Sequence, residues 1–97
     1  MVKHIVMWTL KDEQKANAEK IAGELQGKFK SLLGVVEGLT AIEIGQNYNG
    51  GNYDIVLYCE FTNRETQDAY QNHPAHVAIK GRVHELTCAR ECVDYEI

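Results

Sequence analysis

The segment AYQNHPAHVAIKG, residues 69–81, holds the only proline of the chain, Pro74, and two of its four histidines, His73 and His76. Tyr70 stands six residues before His76. A histidine titrates near neutrality, so it can take or give a proton at physiological pH. A tyrosine can donate a hydrogen bond to a carbonyl or to a developing enolate oxygen. His4 and Asp94, near the two ends of the sequence, add a further histidine and a carboxylate that can fix a histidine tautomer. Together the four suit proton abstraction beside a carbonyl, as in aldol-type cyclisation or isomerisation. The same set has a structural reading. Buried polar groups must be hydrogen-bonded, and a His–Asp or His–Tyr pair satisfies itself. His73, just before Pro74, can serve simply as the cap of a helix start.

Whether these groups meet depends on the elements that carry them. Residues 2–10 alternate as a strand, with Val2, His4, Val6, Trp8 and Leu10 on one face and Lys3, Ile5, Met7 and Thr9 on the other. Residues 11–33 read as a helix, because Ala18, Ile21, Ala22, Leu25, Phe29, Leu32 and Leu33 recur at steps of three and four. Asp12 is its expected N-cap and Gly34 its expected C-cap. Gly23 and Gly27 each weaken it by about 1 kcal/mol, and close approach to a sheet would explain their presence. Residues 39–46 read as a second strand, NYNGGN (47–52) as a hairpin loop, and YDIVLYCEF (53–61) as a third strand. Asn63 is placed to cap a short helix over 64–72, and Pro74 to open another over 75–87. RECVDYEI (90–97) alternates as a last strand, with Cys92 and Asp94 on one face and Val93, Tyr95 and Ile97 on the other.

Strand, helix, strand, strand, helix pair, strand is the order of an α+β, ferredoxin-like split βαβ unit. It predicts a four-stranded antiparallel sheet with the helices on one face. In that topology the first and last strands are antiparallel neighbours, so His4 and Asp94 come close. His76 shares a helix face with Ile79, Val83 and Leu86 and points into the same layer. The opposite sheet face collects Ile5, Met7, Val56, Tyr58, Val93, Tyr95 and Ile97, a row too apolar to stay wet. Two such sheets packed face to face would cover it, giving a homodimer with a barrel-like centre.

Other classes are disfavoured. The net charge is −4 and the ten Lys and Arg are scattered singly, which builds no basic face for nucleic acid. No segment approaches the roughly 20 apolar residues of a membrane span, and the start MVKHIVMWTLKDE lacks a signal-peptide pattern. A cytoplasmic protein is expected. Three cysteines, Cys59, Cys88 and Cys92, do not make a secreted disulfide framework and are expected as free thiols. His73 and His76 are three apart, but without a third ligand they are weak evidence for a metal. There is no phosphate-binding glycine loop and no nucleophile elbow. Neither a metal nor a cofactor is expected.

The start VKHIVMWTLKDE, the strand YDIVLYCEF, the segment AYQNHPAHVAIKG and the ending VDYEI together resemble the stress-responsive A/B barrel (Dabb) domain family, over residues 1–97 as a single domain. The resemblance implies a dimeric α+β barrel. One branch of that family is a polyketide cyclase, similar in its HPAHV run and in the K-H and D-Y ends. Carried over by motif, its acid–base residues fall on Tyr70 and His76, supported by His4 and Asp94. Trp8, Leu57 and His73 are expected as substrate contacts. AGELQ (22–26), Thr87 and Arg90 stand where that branch has apolar walls. The expectation is a protein that binds a small molecule between sheet and helices, with His/Tyr acid–base chemistry of the cyclase or lyase type. The alternative is a non-enzymatic stress-associated or assembly protein in which the His/Tyr/Asp cluster is structural.

Overall fold

A computed structural model describes all residues, Met1–Ile97. The sheet has four antiparallel strands, β1 (Val2–Leu10), β2 (Leu39–Gln46), β3 (Ile55–Phe61) and β4 (Thr87–Glu96), in the order β2-β3-β1-β4. Three helices, α1 (Ala18–Lys30), α2 (Arg64–Gln71) and α3 (Pro74–Leu86), complete the ferredoxin-like α+β unit. No helix is long and apolar enough to cross a membrane.

The alternation in β1 and β3 sets the layers. Val2, His4, Val6, Trp8 and Leu10 are buried, as are Ile55, Leu57, Cys59 and Phe61, while the residues between them are half-exposed. The core lies between this inner face and the helices. Its helical side consists mainly of Ile21, Leu25 and Phe29 on α1 and of His76, Ile79, Val83 and Leu86 on α3.

Several boundaries differ from the sequence expectation, each for a local reason. Residues Asp12–Asn17 wind as a 3-10 helix, and Asp12 is not its cap; Lys11 precedes it with no side-chain cap bond. None of the six is buried, so no core contact rewards α winding there. The main helix stops at Lys30, and Leu32 is buried in the following turn, which Gly34 closes with φ 83° rather than capping the helix directly. β3 starts at Ile55 because the Tyr53 carbonyl accepts the Asn47 side-chain amide at 2.7 Å instead of joining the ladder. Gly23 and Gly27 face open space, so close approach to the sheet is not their reason. Gly38 is the glycine that cannot change. Its φ is 81°, and a Cβ there would lie 2.4 Å from the Thr66 side chain.

The two caps after β3 form as expected. Asn63 accepts the Thr66 N–H at 2.9 Å, and His73 Nδ1 accepts the Ala75 N–H at 3.1 Å with Pro74 in the first turn. β4 starts at Thr87, three residues before the expected position, directly on the end of α3. Its ladder with β1 pairs Leu10 with Thr87 and Thr9 with Ala89, leaving Cys88 as an extra residue in a β-bulge.

Candidate functional site

The β1–β4 register sets Asp94 directly opposite His4. Both side chains lie on the inner face. His4 is buried, 3% exposed, and its Nδ1 lies 2.5 Å from the Asp94 carboxylate. The Nδ1–H donates to that oxygen, so Nε2 is the nitrogen left for other work. The pair expected from strand parity alone therefore forms.

His76 reaches the same layer from α3 and is 7% exposed. Its Nδ1 lies 3.1 Å from the Tyr70 carbonyl, an acceptor only, so Nδ1 carries the proton and Nε2 keeps its lone pair. Burial pushes the His76 pKa down to about 4, and the ammonium of Lys80 acts in the same direction. The ring is thus a neutral base at pH 7. Tyr70 stacks on it with ring centroids 3.9 Å apart and planes 14° from parallel. His4 meets the other side of the Tyr70 neighbourhood edge-on at 6.2 Å. Tyr70 is wholly buried, and its hydroxyl has no hydrogen-bond partner. Burial, and next the Cys59 thiol, hold its pKa far above the usual phenol range.

A cavity of about 320 Å³ opens beside these rings. His4 and His76 line it, and Val6, Trp8, Phe29, Leu57 and Val83 make its apolar walls. Trp8 stacks against Phe29 at 6.1 Å and forms a wall rather than a plug. Of the expected substrate contacts, Trp8 and Leu57 are in this lining. Tyr70 stands behind His76, outside it. His73 borders a separate groove with Tyr70, between the turn at Val35–Glu37 and α2.

Lys80, His84, Arg90 and Gln71 complete the lining; the resemblance places Arg90 at a pocket wall, and the sequence assigns none of the other three to a site. The signal for two of them was available. His76, Lys80 and His84 follow at steps of four on α3, which places them along one helix face. Arg90 sits opposite Trp8 in the β1–β4 ladder, two residues before Cys92 on the same inner row.

One group has the makings of a metal site: His4, Cys92 and Asp94 bring their ligand atoms within 4.8 Å of one another. Neither the His73/His76 pair nor the cysteine pair 88/92 is in it. His4 Nδ1 and Asp94 already bond each other. Burial, followed by the Asp94 charge, raises the Cys92 pKa, and a thiol must lose its proton to ligate. The trio therefore serves better as a hydrogen-bonded cluster than as a metal centre. All three cysteines are free, and burial pushes the Cys59 thiol up to about 12.

A family model described as the stress responsive A/B barrel domain matches residues 2–97. A dimeric protein of unknown function with a ferredoxin-like fold from Bacteroides fragilis is 35% identical, with a TM-score of 0.84 over 99% of this chain and 95% of that one. A protein of Arabidopsis thaliana is 26% identical, with a TM-score of 0.82 over 100% of this chain and 95% of that one. A dimeric ferredoxin-like protein from Jannaschia sp. CCS1 is 24% identical and shares the fold, with a TM-score of 0.82 over 99% and 98% of the two chains. No curated protein matches the chain.

Proposed function

The chain belongs to the stress responsive A/B barrel domain family, and on that premise we propose that it binds a small carbonyl compound in the cavity between sheet and α3 and moves a proton beside the carbonyl. The observation that carries this is His76: a buried, neutral imidazole in the wall of a cavity, with its tautomer set by the Tyr70 carbonyl. Its Nε2 takes the proton from the carbon next to the carbonyl. The electron pair of that C–H bond passes to the carbonyl oxygen, which becomes an enolate. The imidazolium formed at His76 stays beside the enolate, stabilises its charge and returns a proton to it, while His4, its Nδ1–H held by Asp94, supports the site from the same wall. Tyr70 positions the His76 ring by stacking. The apolar walls exclude water and hold the substrate body.

The test uses an aryl β-keto ester, ethyl 3-oxo-3-phenylpropanoate, whose α-protons exchange with deuterium through the enol. Proton NMR in deuterated buffer should show wild-type exchange at least ~100-fold above buffer, the low end for a positioned base. His76→Gln, which can still donate to the Tyr70 carbonyl, should fall to the buffer rate while remaining folded. A wild-type rate equal to buffer would remove the acid–base reading. The stress-associated or assembly reading would then be favoured, since His73 already works as a helix cap and the His4–Asp94 pair is satisfied within the protein.

The pairing of two copies belongs to the same proposal. The outer sheet face carries half-exposed Ile5, Met7, Val56 and Tyr58, and exposed Val93, Tyr95 and Ile97. The Bacteroides fragilis relative is dimeric. Two outer faces laid together would bury these side chains and close a barrel. Light scattering at micromolar concentration should give twice the mass of one chain, and Val93→Glu should shift it towards one. A single-chain mass for the wild type would end the dimer proposal.

A further inference from the structure

We propose that the ligand of this cavity carries a carboxylate, held at the mouth by Arg90 and Lys80, with its carbonyl pointing inward to the histidines. The inference rests on the binding reading above and names the class of molecule it concerns.

The charge at the mouth runs against the charge of the protein. The chain has 14 acidic residues against 10 basic ones. Yet the cavity lining contains Lys80 and Arg90, adds His84 beside them, and contains no acidic residue. Arg90 makes no ion pair, and its side chain bears only on the Cys92 thiol, unlike Arg64 and Arg82, which are matched with carboxylates. Lys80 has no carboxylate partner either. Its ammonium donates to the Gln71 carbonyl at 2.8 Å, which fixes it at the end of α2 facing the cavity. Two cations from two elements, α3 and β4, therefore converge on one opening with unspent charge. A planar guanidinium is suited to a planar carboxylate.

The other walls select the rest of the ligand. Trp8 and Phe29, stacked together, offer a flat apolar surface. A volume of about 320 Å³ is near the lower end for small-molecule sites. A phosphate is less well served. Phosphate sites draw on free backbone N–H groups at a helix N-terminus or a glycine nest. His76, the first α3 residue in the lining, spends its backbone N–H on the His73 carbonyl at 3.0 Å, and no glycine is in the lining.

Trp8 is the only tryptophan and lies in the wall, so its emission reports occupancy. The probes are 4-oxo-4-phenylbutanoate and its methyl ester, which differ in the charge and by one methyl group. The keto acid should bind about tenfold or more tightly than the ester, the size expected of one charge-assisted bond. Arg90→Gln should remove most of that preference, bringing the acid-to-ester affinity ratio towards one. Lys80→Gln, which can keep the bond to Gln71, should reduce it further. Raising salt should weaken the acid alone. Equal affinities in the wild type, or a preference that survives both substitutions, would overturn the carboxylate inference while leaving the proton-transfer reading standing. Failure of both probes to bind at millimolar concentration would overturn the inference together with the cavity reading, whereas loss of β-keto ester exchange alone would not touch the acid-to-ester ratio.

Discussion

Taking the wild-type protein from pH 7 to pH 4 should cost about 3 kcal/mol more stability than the same change costs a His76→Gln variant. A histidine in the unfolded chain has a pKa of roughly 6.5. In the folded protein burial depresses His76 to about 4. Between those values the unfolded state binds a proton that the folded state does not, so stability falls as pH falls through that window. A gap of two to three units corresponds to about 3 kcal/mol. The whole stability of a domain is typically about 5–15 kcal/mol, so the effect would dominate acid unfolding. Lys80 and His4 act in the same direction as burial, while the Tyr70 and Gln71 carbonyls, which accept from the ring, act against it without overcoming it. Other groups titrate as well. The Glu24 carboxyl is lowered by its hydrogen bonds to Arg82, and it too loses stabilisation in acid. That contribution is shared by both proteins and cancels in the difference. Urea unfolding at a series of pH values measures it. Parallel curves for wild type and variant would mean that water reaches His76 and protonates it freely, which would also weaken its case as a neutral base.

The second large effect has an unusual sign. Tyr70→Phe should stabilise the protein, by about 1–3 kcal/mol, the cost of a buried polar group left without a partner. The hydroxyl is sealed from solvent and makes no hydrogen bond, while the ring packs on His76 and Phe61 and would be kept by phenylalanine. Thermal unfolding measures the shift. The proposed role predicts the counterpart: the ring that stacks on His76 is kept and the hydroxyl lies outside the cavity, so the variant should exchange the β-keto ester at close to the wild-type rate. A destabilised Tyr70→Phe would show instead that the hydroxyl is bonded, with the Cys59 thiol the nearest candidate.

Period-2 and helical spacing made much of this architecture legible. The strand at 39–46 is found with those bounds. The His4–Asp94 contact follows from strand order and parity, two properties that sequence patterns carry well. His76 was legible because it shares a period with Ile79, Val83 and Leu86. What spacing could not carry was distance normal to the sheet. The stacking of Tyr70 on His76 depends on how α2 and α3 cross at Pro74, and no repeat encodes that angle. The cavity is a property of what Trp8 and Phe29 do to each other, one from β1 and one from α1. Lys80 and His84 are not legible as site residues because polar residues on a helix face are usually solvated, and only the cavity distinguishes them; Arg90 is legible only through the resemblance, as a polar residue at a pocket wall. The 3-10 winding at Asp12–Asn17 departs from the continuous helix that the spacing predicts over 11–33, because the charged residues there suit either form.

The bulge at Cys88 has the effect of a frameshift. A ladder continuing regularly from the Leu10–Thr87 pair would set Val93 opposite His4 and Asp94 opposite Lys3. Every downstream side chain would then be read onto the wrong face. The single extra residue shifts the reading by one, so that Arg90, Cys92 and Asp94 fall in phase with Trp8, Val6 and His4. Val93 and Tyr95 are thereby returned to the outer row. One unpaired residue thus decides which half of the strand's alphabet the cavity receives and which half is offered to the outside. One residue added or lost between Ala89 and Val93 would exchange the two.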